Sequence, residues 1–137
     1  MKRHAAAFPI AIATFFCSFY LSPIQFTGVG VGSGALISKY DNFCSFGVYR
    51  STYFQMVSTW SCSFDDEESA AAHYGSSIEE PFMRSVISEG ANRHLLMIDG
   101  PEGMAYCIFW LEGHKSGQIC SFDLDHVIAF EDQFYPE

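Results

Sequence analysis

"RHLLMIDGPEGMAYCIFWLEGHKSGQICSF", residues 93–122, holds three apolar runs separated by two turn stretches. RHLLMID, MAYCIFWLE and QICSF are rich in β-branched and aromatic residues, whereas GPEG and GHKSG supply the Gly and Pro that break regular structure. The pattern predicts three antiparallel strands in a meander. A sheet is therefore the framework into which the rest of the chain has to fit.

Upstream, residues 43–63, FCSFGVYRSTYFQMVSTWSCS, are equally aromatic and contain no proline. They predict two further strands with a bend near Arg50–Thr52. Tyr53, Gln55, Val57 and Thr59 alternate with Phe54, Met56, Ser58 and Trp60, as in a sheet with one apolar face. Between the two strand blocks, FDDEESAAAHYGSS (64–77) reads as a helix. Asp65 or Asp66 caps it, Glu67 and Glu68 sit at the positive end of its dipole, and Gly75 ends it. SSIEEPFMRSVISEG (76–90) then predicts a shorter helix capped by Ser77 and closed by Gly90, with Phe82, Val86 and Ile87 as its apolar stripe. In the tail, Leu124, Val127, Ile128, Phe130 and Phe134 recur at near-helical spacing, so a terminal helix is expected. The resulting order is β-β-α-α-β-β-β-α, an α+β fold of about five antiparallel strands with the helices on one face.

The start of the chain differs in kind. Residues 5–38 contain no charged side chain, and Lys2 and Arg3 precede them. A basic start, an apolar middle and small residues at 33–35 (SGA) have the layout of a secretory signal. Residues 27–38, TGVGVGSGALIS, read as the flexible tail of that signal, because glycines at every second position do not match a phosphate-binding loop. The expected division is residues 1–35 as signal peptide or membrane anchor and 36–137 as one small domain. Retained, residues 5–26 reach spanning length, with a kink at Pro9. Either way the positive N-terminal flank directs the domain to the periplasm or outside.

That compartment determines the reading of the cysteines. Cys17 lies in the apolar segment, leaving Cys44, Cys62, Cys107 and Cys120. Four cysteines allow three pairings, and spacing favours two local loops, one within each strand block. Zinc is not expected, since no two of the four lie two to four residues apart.

All sixteen acidic side chains and five of the seven basic ones follow Arg3. Such a domain repels phosphate backbones, which argues against nucleic-acid binding and for a protein partner of basic character. For chemistry, the best cluster is CSFDLDHV (120–127), where Asp123, Asp125 and His126 offer a carboxylate–imidazole pair for acid–base work or metal binding. On a helix Asp123 and His126 share a face and Asp125 does not, and Asp123 also suits an ordinary helix cap. No nucleophile elbow is present. Aromatics are too dense for all to point inward, which makes Tyr53, Trp60, Tyr106 and Trp110 the binding candidates. The expectation is an exported, acidic, disulfide-stabilised binding protein of inhibitor or immunity type, without cofactor or metal. The alternatives are an anchored accessory subunit of a membrane complex, and a small hydrolase or metal-dependent enzyme using Asp123, Asp125 and His126.

Overall fold

A computed structural model describes residues 23–34, 42–79 and 84–135. The apolar span proposed for residues 5–26 lies almost wholly outside the described residues, as do Cys17 and the stretch around Pro81. Among the described residues no helix is long and apolar enough to cross a membrane.

Strands β1 (Phe26–Gly34), β2 (Asn42–Ser51) and β3 (Met56–Phe64) are followed by helix α1 (Glu67–Glu79). Strands β4 (Arg84–Glu89), β5 (Arg93–Gly100), β6 (Gly103–Glu112) and β7 (Lys115–Ser121) come next, then helix α2 (Leu124–Phe134). All seven strands form one sheet in the order β1-β2-β3-β7-β6-β5-β4, and every pair is antiparallel. The meander predicted from residues 93–122 is present as β5–β6–β7. Its return strand β7 joins the first block by pairing with β3.

Seven strands replace the expected five. The first addition is β1, in the stretch read as a flexible tail. It pairs with β2 along its length, with a register shift between Gly28 and Gly30. Glycine is what makes the fit: a Cβ at Gly32 would overlap the ring of Phe46, which lies across the strand there. A cut after Ala35 would therefore remove β1, whereas a cut before Phe26 would spare it. The second addition is β4, which occupies residues expected to close a short helix. The run Arg84–Glu89 pairs with β5, and its β-branched Val86 and Ile87 suit a strand. Ser77, expected to cap that helix, lies inside α1 and donates its hydroxyl back to the His73 carbonyl at 2.8 Å. Helix α1 runs through Gly75 to Glu79.

The helices cover opposite faces, not one. Side chains alternate across the sheet, so the register separates them. On the first face Val57, Leu95, Ile108 and Ile119 pack under Val127 and Phe130 of α2. On the second face lie Cys44, Cys62, Phe64, Leu96, Cys107 and Phe109, against Ala70 and Tyr74 of α1. The reason is visible in YCIFWL, which does not alternate. A strand apolar on both sides needs cover on both sides. Phe130, 1% exposed, anchors the first layer, and burying such a ring contributes roughly 1.5–3 kcal/mol.

Two disulfides staple the second face. Cys44 pairs with Cys62 across β2–β3, and Cys107 with Cys120 across β6–β7, in each case directly opposite in the register. These are the two local loops that spacing favours.

Candidate functional site

The acid–base candidates lie at the start of α2. Asp123 caps the helix, its carboxylate accepting the His126 backbone N–H at 3.2 Å. The one-turn offset brings the His126 ring beside the same carboxylate, and its Nδ1 bonds to Asp123 Oδ2. Nε2 lies 2.9 Å from the hydroxyl of Ser51 at the end of β2. A carboxylate only accepts, so Nδ1 carries the proton and Nε2 accepts the Ser51 O–H. Carboxylate, imidazole and hydroxyl thus stand in the order of a nucleophile, its base and the group that orients the base.

The serine is nevertheless fully occupied. Its Oγ also accepts the backbone N–H groups of Tyr53 and Gln55, each at 3.1 Å. One donated and two accepted bonds exhaust a hydroxyl. Ser51 is 4% exposed and His126 6%, and Phe26 and Tyr53 meet the imidazole edge-on. In this arrangement the relay fastens the β2–β3 turn to α2. Asp125 takes no part and faces solvent. Ser51, far from His126 in sequence, had no local signature that would have singled it out.

The titratable groups of the second face are engaged locally. Cys120 is in a disulfide and so offers no thiolate. His73 Nδ1 bonds to the Ser116 hydroxyl at 2.7 Å, and the Tyr74 hydroxyl meets His94 Nδ1 at 2.5 Å. Burial raises the Tyr74 phenol above its ordinary pKa, with Arg93 the smaller and opposing cause. Beside these groups is a cavity of about 210 Å³ bounded by Trp60, Tyr74, Phe109 and Gln118. Among the described residues no group of three His, Cys, Asp or Glu side chains could hold a metal ion.

The four aromatic candidates do not share a surface. Tyr53 is half-buried against His126, and Tyr106 joins the first-face core. Trp110 is half-buried on the same face, its ring 5.5 Å from that of Tyr135. Only Trp60 stands on the second face, at the margin of α1, whose His73, Tyr74 and Ser77 line the cavity with it. Its cross-strand partner is Phe46, with ring centroids 6.4 Å apart. Val48 opposite Ser58, and Arg50 opposite Met56, continue this ladder toward the turn. Phe46, Val48, Met56 and Trp60 are each 36–43% exposed. At the tip Phe54 is 78% exposed with φ of 61°, and the Arg50 guanidinium lies over its ring at 5.7 Å. A large side chain in left-handed backbone is uncommon, because its Cβ crowds the following carbonyl. The alternation places Phe54 and Met56 on one face with Trp60, but it does not say which face a helix will cover, and Phe46 and Val48 carry no signal of their own.

The described residues thus form an antiparallel seven-stranded sheet with a helix on each face, two cross-strand disulfides and a partly exposed aromatic ladder. No family model, no curated protein and no solved structure matches the chain.

Proposed function

We propose that the protein is an exported, non-catalytic binding domain that holds a basic protein partner against the exposed ladder of β2 and β3. The observation that carries this reading is the contiguous exposure of Phe46, Val48, Met56 and Trp60. Exposed aromatics in a cluster are what interface cores are built from, and burying them gains more than keeping them wet. Phe54 supports the same surface. It holds unfavourable backbone where Gly or Asn would be relaxed, and strain of that kind collects at contact sites. The disulfides fit an oxidising, extracytoplasmic compartment. The acidic excess supplies attraction to a basic partner.

Site-specific photocrosslinking in cells that natively express the protein tests the reading. A benzophenone side chain replaces Trp60 in one variant and Glu102, in the exposed β5–β6 turn, in another. Export predicts a single discrete protein adduct from position 60, on the extracytoplasmic side, and none from position 102. Equal adducts from both positions, or none from position 60, would overturn the proposal.

A further inference from the structure

We infer that the end of α2 and the adjoining edge of the first face form a second contact site, a cleft that takes an arginine side chain from a basic segment of the partner. The inference rests on the reading of the protein as a binding domain. The cleft encloses about 780 Å³ between the β4–β5 turn, the end of β6 and the last turn of α2. That is within the size range of ligand pockets and larger than one side chain.

Two independent features of its wall favour a cation. Trp110 and Tyr135 supply paired aromatic rings inclined at 41°. A guanidinium attracts such π-faces and stacks on them, which an ammonium does less well. Glu112 and Asp132 line the same space as exposed carboxylates, and neither has an ion-pair partner among the described residues. Arg93, the cation in the lining, is committed: Nε and Nη2 hold Glu131 at 2.7 and 2.9 Å. Three carboxylates to one arginine leave the lining negative, even with Lys115 opposite Glu112 in the β6–β7 register. An incoming arginine would find the exposed ring of Tyr135 beside half-buried Trp110, and two acceptors.

The test uses the disulfide-bonded chain with Trp60→Phe, which leaves Trp110 as the one tryptophan of the original two. N-acetyl-hexa-arginine amide is titrated at low salt while Trp110 fluorescence is followed, with the hexa-citrulline analogue as an uncharged control. The expected result is a saturable change with the arginine peptide only. Glu112→Gln with Asp132→Asn should weaken it at least tenfold. Glu67→Gln with Glu68→Gln, on α1 at the other face, removes the same charge and should weaken it less than twofold. No saturable change, equal response to the citrulline peptide, or equal weakening by both double variants would overturn the site. If the peptide fails while position 60 still crosslinks to a partner, the cleft falls and the binding reading stands. If crosslinking fails while the peptide binds as expected, the ladder falls and the cleft remains.

Discussion

His126 Nε2 accepts the hydroxyl of Ser51, 75 residues distant in the chain, at 2.9 Å, so the start of α2 grips the turn between β2 and β3. That turn carries Phe54 and ends the exposed ladder. Ser51→Ala strips an acceptor from the N–H groups of Tyr53 and Gln55 and a donor from His126. Leaving such groups unmet should cost about 2–4 kcal/mol in urea denaturation. Ser58→Ala, exposed on β3, should cost less than about 0.5 kcal/mol. The same geometry predicts that a fluorophosphonate leaves Ser51 unmodified. Covalent labelling there would show a free, accessible nucleophile and revive the hydrolase reading.

Much of this relay was legible in part. CSFDLDHV discloses that Asp123 and His126 share a helical face, because that follows from a period of 3.6 within one element. It cannot disclose Ser51, which depends on which strands become neighbours. The same division runs through the fold. The β5–β6–β7 meander, α2 and the cap at Asp66 are local, and the Asp66 carboxylate does accept the Ser69 N–H at 2.6 Å. Strand β4 and the glycine-rich β1 are not local. Val86 and Ile87 fit either a helix or a strand, and pairing with β5 decides between them. The opposite placement of the helices was written in the non-alternating run YCIFWL, a signal that the five-strand, one-face reading passed over.

Glycine chemistry distinguishes the interior of the sheet from its exposed ladder. A Cβ at Gly117 would overlap the Trp60 carbonyl and approach Trp110 Cζ2 to 2.5 Å. A backbone oxygen in the β3–β7 ladder has nowhere to go, so Gly117→Ala should destabilise by more than about 2 kcal/mol. At Gly32 the obstacle is the far end of the Phe46 ring, which is partly exposed and free to swing. Gly32→Ala should cost less than about 1 kcal/mol, since it also removes the entropic penalty of glycine in a strand. Thermal melts of the two variants check the ranking. If the ladder is the docking surface, the displaced Phe46 should also reduce crosslinking from position 60.

Tyr74 makes stability depend on alkaline pH. Burial is the larger cause of its raised pKa, so the folded state keeps the phenol protonated after the unfolded chain, near 10, has begun to lose its proton. Its contribution is therefore complete below pH 10 and declines as pH rises through the folded value. Denaturation midpoints should be level from pH 8 to about 10 and fall beyond it. Tyr74→Phe should make that fall shallower. At pH 8 it should cost about 1 kcal/mol through the lost bond to His94. An unchanged alkaline slope in the variant would show that another group governs the loss.

The disulfides carry both the stability argument and the compartment argument, and one measurement separates them. Sequence separations of 18 and 13 residues close loops of similar entropy, so replacing either pair by alanine should cost about 3 kcal/mol. Both pairs sit on the second face, but they serve different parts of it. Cys44–Cys62 lies beside the cross-strand pair Phe46 and Trp60, whereas Cys107–Cys120 lies beneath Tyr74. Losing the first should therefore impair crosslinking from position 60 more than losing the second, at equal loss of stability. Alkylation of the natively expressed, denatured but unreduced protein, read by intact mass, should leave Cys44, Cys62, Cys107 and Cys120 unmodified. Four reactive thiols would mean a reducing compartment, and the export on which the proposed function depends would fall with them.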